Sequence, residues 1–145
     1  MNLLIQSSFD TVVNKMPEVI LPQKLLYING KVNNRLLKII IDTGTTTSII
    51  FKETVDKLNL NYLIDTEEQS LLNGIGNELS IGRIWYIEVD LNKKIYPMSL
   101  IVSNNKISDF DMIIGINFLK TYKTQIDFNT NTLNLYMNHI PLMSN

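Results

Sequence analysis

Lys38-Ile39-Ile40-Ile41-Asp42-Thr43-Gly44-Thr45-Thr46-Thr47-Ser48-Ile49-Ile50 places one carboxylate at the exit of an apolar run. Three consecutive isoleucines read as a strand buried on both faces. A charge ending such a strand must be satisfied by local donors or used for chemistry. Gly44 and the hydroxyls of Thr43, Thr45 and Thr46 supply a tight turn and the donors. Asp-Thr-Gly alone is an ordinary turn tripeptide. With apolar flanks on both sides it is much rarer, and the functional reading of Asp42 outweighs the turn reading.

Strand signals surround this loop. Leu25-Leu26-Tyr27-Ile28, Asn29-Gly30 and then Val32 to Ile41 read as a β-hairpin with its turn at Asn-Gly, and its second strand delivers Asp42. Ser48-Ile49-Ile50 is a short strand, and the spacing of Val55 and Leu58 predicts a short helix over 52–58. Residues 69–91 predict a long hairpin with a glycine-rich tip at Asn73-Gly74-Ile75-Gly76-Asn77 and an outgoing strand from Leu79 to Leu91. Further strands are expected over 95–102, 112–115, 124–128 and 132–136, with a single short helix over 116–122 and a turn at 129–131. Short strands at regular spacing with one or two small helices predict a mostly-β closed sheet or barrel, without Rossmann-like alternation. Residues 1–22, broken by Pro17 and Pro22, read as an N-terminal arm or connection, 23–137 as the domain and 138–145 as a polar tail.

Composition narrows the chemistry. The 145 residues are 45% hydrophobic, enough for one domain with a real core. Thirteen basic and fourteen acidic residues leave a net charge of −1, which removes the electrostatic term that dominates nucleic-acid or anionic-membrane binding. With no cysteine and one histidine, thiol nucleophiles and thiolate metal sites are excluded and a zinc site is disfavoured. No metal or other cofactor is expected, so catalysis falls to carboxylates, hydroxyls or amines. Neither a secretion signal nor a membrane-spanning run is visible, and a soluble, cytoplasmic protein is the expectation.

The pattern apolar-apolar-Asp-Thr-Gly-Thr around Asp42 resembles the active-site signature of the aspartic proteases. Their chemistry needs two carboxylates sharing one proton, one to activate water and one to polarise the scissile carbonyl. A single loop in a chain of this length supplies half of such a site, so a homodimer with one Asp42 from each copy on a two-fold axis is expected. The resemblance extends through Leu25, Tyr27-Ile28-Asn29-Gly30, Asn73-Gly74-Ile75-Gly76, Ile81-Gly82-Arg83, Met112-Ile113-Ile114-Gly115-Ile116-Asn117-Phe118-Leu119 and Ile126-Asp127-Phe128 to Leu133. The chain is thus similar to retropepsins, and most to the retroviral-protease-like domain of the DNA-damage-inducible protein 1 family. That family usually has Ser and Ala where Thr43 and Thr45 stand.

The resemblance implies a closed retropepsin-like acid-protease fold completed as a homodimer. It makes Asp42 catalytic on a loop with Thr43, Gly44 and Thr45, and Leu72, Asn73, Gly74, Ile75 and Gly76 a substrate-covering flap. Ile113, Ile114 and Gly115 support the catalytic loop from behind. The glycines independently suit strand addition by an extended peptide, and Leu72, Ile75 and Ile113 suit pockets for apolar residues beside the cut bond. The expected partners are therefore a second copy and a peptide or protein substrate. A catalytically silent peptide-binding or dimerisation module is the alternative, and a precursor with residues 1–22 in its cleft a third reading.

The remaining signals read as structural. Gly74-Ile75-Gly76 lacks the third glycine of a dinucleotide fingerprint, since residue 79 is Leu79. Asp109-Phe110-Asp111 is expected to be a solvated turn rather than a metal pair. Asp127 is expected to cap a turn, His139 to lie exposed in the tail, and Arg83 to pair with a carboxylate.

Overall fold

Strands β1 (Leu26–Val32) and β2 (Arg35–Ile41) form the hairpin that carries Asp42, in a computed structural model that describes residues 1–22, 24–68 and 80–144. Its turn differs from the sequence expectation. Tyr27 pairs with Ile40 and Val32 with Arg35, so the connection is Asn33-Asn34, whose φ angles of 50° and 65° are those a two-residue hairpin turn requires. Asn29-Gly30 lies within β1. Gly30 is needed there for close packing: a Cβ would sit 2.8 Å from Ile39 Cδ1 and 2.9 Å from Leu91 Cδ2.

Those contacts mark where the barrel closes. Strands β3 (Ile49–Phe51), β5 (Gly82–Leu91), β6 (Lys94–Ser103) and β7 (Met112–Ile114) complete a ring in the order β1-β2-β7-β3-β6-β5, and Lys31 pairing with Asp90 joins β5 to β1. The β2–β7 and β3–β6 pairs are parallel and the β3–β7 pair antiparallel. Parallel pairing buries both faces of the short strands, which explains their uninterrupted Ile-rich composition. The fold is therefore mostly β and closed, as expected. Two short edge strands, β4 (Ile64–Asp65) on β5 and β11 (Met143–Ser144) on β1, extend the sheet.

The β5–β6 hairpin turns at Asn92-Lys93, both at positive φ. A register shift between Ile84 and Ile87 turns Trp85 and Tyr86 outward together. The main core gathers Ile28, Ile39, Ile50, Val55, Ile84, Leu100, Val102, Met112 and Ile114 inside the barrel. A second cluster of Tyr27, Ile40, Ile49, Phe51, Ile101, Phe110 and Ile113 lies on the opposite face of the same strands.

Helices α2 (Lys52–Lys57) and α3 (Ile116–Thr121) stand where the sequence places them. Residues 1–22, read as an N-terminal arm or connection, contain helix α1 (Leu3–Lys15), capped by Asn2 Oδ1 accepting the Ile5 N–H at 2.9 Å, and a 3₁₀ turn at Pro17–Val19. The apparent polar tail also continues the fold. Strands β8 (Gln125–Asp127), β9 (Thr132–Leu135) and β10 (Asn138–Pro141) form a separate sheet. Ile140 is buried, and Asn138 Nδ2 donates to the Leu91 carbonyl at 3.0 Å and to Tyr96 Oη at 2.9 Å. Alternation over so few residues was too short a signal against the polar composition.

Candidate active site

The parallel β2–β7 ladder runs straight into the loop: the Asp42 N–H donates to the Ile114 carbonyl at 3.0 Å. The half-buried side chain then turns back on its own loop. The Gly44 N–H donates to Asp42 Oδ1 at 2.8 Å and the Thr45 hydroxyl to Oδ2 at 2.8 Å, one bond to each oxygen. Thr45 is buried and its N–H donates to the Asp42 carbonyl at 3.3 Å. A carboxylate held this way keeps lone pairs free for a water or for a second acid. A Cβ at residue 44 would stand only 3.1 Å from Asp42 Oδ1, so glycine suits the close approach.

The expected support residues lie directly behind this loop. Ile113 and Ile114 are fully buried, and Gly115 fits where a Cβ would lie 2.5 Å from the Thr45 carbonyl oxygen. The Ile116 N–H donates to the Thr45 carbonyl at 2.8 Å and the Asn117 N–H to the Thr46 carbonyl at 3.1 Å. Thr43 is exposed and borders an apolar hollow with Ile116, Leu119 and Ile126. Thus Asp42, Thr43, Gly44 and Thr45 and Ile113, Ile114 and Gly115 come together, whereas Leu72, Asn73, Gly74, Ile75 and Gly76 lie outside the described residues.

Two residues that the sequence reading passed over complete the lacing. Asn117 Oδ1 accepts both the Ser48 N–H and the Ser48 hydroxyl at 2.9 Å, and Ser48 Oγ accepts the Gly115 N–H at 3.0 Å. An asparagine between Ile116 and Phe118, and a serine opening a buried strand, were the available signals.

Asp111 corrects one expectation. Only Asp109 sits in a solvated turn, pairing with Lys38 Nζ at 2.8 Å; that bond lowers the Asp109 pKa and raises that of Lys38. Asp111 is buried and ties three elements together. Its Oδ2 accepts the Lys38 N–H at 2.9 Å, its Oδ1 accepts the Thr54 hydroxyl at 3.0 Å, and its carbonyl accepts the Phe51 N–H at 3.2 Å. The short Asp-Phe-Asp motif hid this because only the second carboxylate follows Phe110 into the core.

Among the described residues, Arg83 forms no ion pair with a carboxylate. Its guanidinium lies 5.0 Å above the Trp85 ring and donates to Ser99 Oγ at 3.2 Å. The nearby Asp65 instead accepts the Trp85 indole N–H at 2.8 Å, which holds its pKa below the usual carboxylate range, helped by the Glu67 N–H. Asp127 caps its turn by accepting the Asn129 and Thr130 N–H groups, with a lowered pKa owed first to Thr130. His139 is exposed but belongs to β10.

The sequence profile described as aspartyl protease matches residues 17–127, an interval that includes the Asp42 loop and its supports. The chain belongs to the aspartyl protease family. Among relatives of this aspartyl protease domain, DNA damage-inducible protein 1 of Phaeosphaeria nodorum is 27% identical over 94% of the chain, and that of Cryptococcus neoformans 30% identical over 83%. The matches span only 30% and 27% of those two proteins. The retroviral protease-like domain of Ddi1 from Leishmania major superposes with a TM-score of 0.72 at 27% identity, covering 82% of this chain and 96% of that one. A retropepsin-like aspartic protease from Rickettsia conorii shares the fold with a TM-score of 0.53 at 21% identity over 80% and 79% of the two chains. The retropepsin-like fold and the resemblance to the Ddi1 domain thus hold. Among the described residues, no helix is long and apolar enough to cross a membrane.

Proposed function

We propose that two copies of this chain associate about a two-fold axis as an aspartic endopeptidase, with one Asp42 from each copy at the centre. The observation that carries the reading is the hold on Asp42: each carboxylate oxygen accepts one bond from its own loop, and among the described residues no Lys, Arg or His forms an ion pair with it. One such loop per chain supplies one carboxylate, and the chemistry needs two sharing a proton. The ionised Asp42 takes a proton from water as the water oxygen attacks the scissile carbonyl carbon. The protonated Asp42 of the partner subunit donates its proton to the carbonyl oxygen, giving a tetrahedral diol. Collapse of the diol breaks the C–N bond as a proton passes to the amine, and no covalent intermediate with the enzyme forms.

In this reading Thr43, Gly44 and Thr45 shape the catalytic loop and Ile113, Ile114 and Gly115 support it. The family resemblance supports reading Leu72, Asn73, Gly74, Ile75 and Gly76 as a flap that binds the substrate as an added strand. Extended segments with apolar residues beside the cut bond are the favoured substrates. The net charge of −1 supports neither nucleic-acid nor membrane partners.

Titration with a peptide isostere whose hydroxyl mimics the tetrahedral intermediate tests the proposal. The expected result is one isostere bound per two chains, with peptide hydrolysis abolished at that stoichiometry and in Asp42→Asn. Binding without hydrolysis by the wild-type chain would instead mark a silent peptide-binding module.

A further inference from the structure

The side chain of Asn117 is exposed, yet its oxygen satisfies two donors of Ser48, which is 1% exposed. Its two acceptor positions are both occupied. The Ser48 hydroxyl proton is thereby committed to Asn117, which leaves the Ser48 oxygen to accept the Gly115 N–H. Gly115 in turn is wedged against the Thr45 carbonyl, and Thr45 donates its hydroxyl to Asp42 Oδ2. One amide oxygen of an exposed residue therefore orients a buried hydroxyl, which fixes the residue against which the catalytic loop rests.

We infer that Asn117 is a positioning residue for Asp42, required as a double acceptor through its oxygen and not through its amide nitrogen. The inference rests on the proposed peptidase reading for its catalytic consequence, though not for its structural one. An oxygen acceptor at residue 117 keeps Ser48 in its one productive orientation. Without it, the Ser48 N–H loses its partner, the hydroxyl is free to rotate, and the Gly115 N–H loses a fixed acceptor inside the protein. The slack passes to Thr45 and then to the carboxylate, where a small displacement costs rate more than binding.

The test compares Asn117→Leu, which removes the acceptor at similar size, with Asn117→Asp, which keeps it, and with Ser48→Ala, which removes the relay. All are made in the full chain, alongside wild type. Hydrogen exchange of the Gly44 and Thr45 amides reads the loop without requiring activity, and kcat and KM on an apolar peptide read the catalysis. In Asn117→Leu and Ser48→Ala the two amides are expected to exchange about ten-fold faster, as loss of one buried hydrogen bond predicts. In both, kcat is expected to fall about ten-fold or more with KM nearly unchanged. Asn117→Asp is expected to restore wild-type exchange and kcat within about three-fold, because a carboxylate oxygen accepts the same two bonds. Unchanged exchange in both Asn117→Leu and Ser48→Ala, or failure of Asn117→Asp to restore it, would overturn the inference. Faster exchange in Asn117→Leu and Ser48→Ala, beside a wild-type protein that cleaves nothing, would uphold the clasp and sink the peptidase reading instead.

Discussion

Two stretches of this chain are comparably rich in Ile, Leu and Val and fare in opposite ways. In the first, strand β2 with the loop to Ile50, Ile39, Ile40, Ile49 and Ile50 are all but inaccessible, and Asp42, Thr45, Thr46 and Ser48 between them are hydrogen-bonded to residues 114–117. In the second, residues 1–22, Leu3, Leu4, Ile5, Phe9, Val13, Val19, Ile20 and Leu21 remain exposed and only Val12 is half-buried. Apolar content alone does not decide burial. What separates them is the number of partners each backbone group meets. Residues 39–50 are laced to 101–103 and 111–117 by ladders and caps, whereas the main-chain hydrogen bonds of α1 close within residues 2–20. A thirteen-residue helix without a packed face is marginal in water.

The contrast predicts a graded series of substitutions. Gly115→Val should be the most damaging, since even its Cβ meets the Thr45 backbone at 2.5 Å and the Thr47 carbonyl carbon at 3.1 Å. A loss of about 4 kcal/mol is expected in urea denaturation, with activity lost as well. A value below about 1 kcal/mol would show that the loop is far more pliable than the lacing implies. Asp111→Ala should cost about 2–3 kcal/mol by the same measurement, because the Lys38 N–H and the Thr54 hydroxyl lose their acceptor in a buried place. Thr45→Val keeps the shape and removes one bond to Asp42 Oδ2, for about 1 kcal/mol of stability. Its larger effect should be kinetic, a reduced kcat in a steady-state assay. At the other end, Phe9→Ser in α1 should change the unfolding midpoint by less than about 0.5 kcal/mol equivalent. A larger effect there would mean that α1 contributes to the barrel and that the contrast is wrong.

The same contrast explains what was legible in sequence. Ile39-Ile40-Ile41 before Asp42, and Met112-Ile113-Ile114 before Gly115, are unbroken apolar runs because parallel pairing buries both faces, and such runs are easy to see. The Asn33-Asn34 turn was masked by Asn29-Gly30, whose glycine answers to β5, a strand more than fifty residues away. Strand β10 was hidden because Ile140 is its one buried residue and Asn138 finds its partners, the Leu91 carbonyl and Tyr96 Oη, more than forty residues away in sequence. Asn117 and Ser48 left only weak signals, a polar residue among apolar ones, because their roles exist only when residues 48 and 117 meet. Local signals gave the Asp42 loop; long-range satisfaction of polar groups gave the parts that hold it. For α1 the failure ran the other way: Ile5, Phe9, Val12, Val13 and Met16 have helical spacing, but Ser7, Ser8, Thr11 and Asn14 are weak helix formers.

The central claim is that one laced loop per chain makes half an active site. It is tested most directly by titrating Asp42→Asn into a fixed amount of wild-type chain, above the dimer dissociation constant and with time for subunits to exchange, while the rate of peptide hydrolysis is followed. If mixed dimers are inactive, the rate should fall to about one half at an equal amount of the variant and about one tenth at a nine-fold excess, as random pairing requires. A rate that stays constant throughout the titration would contradict the claim, because each wild-type chain would then be working alone.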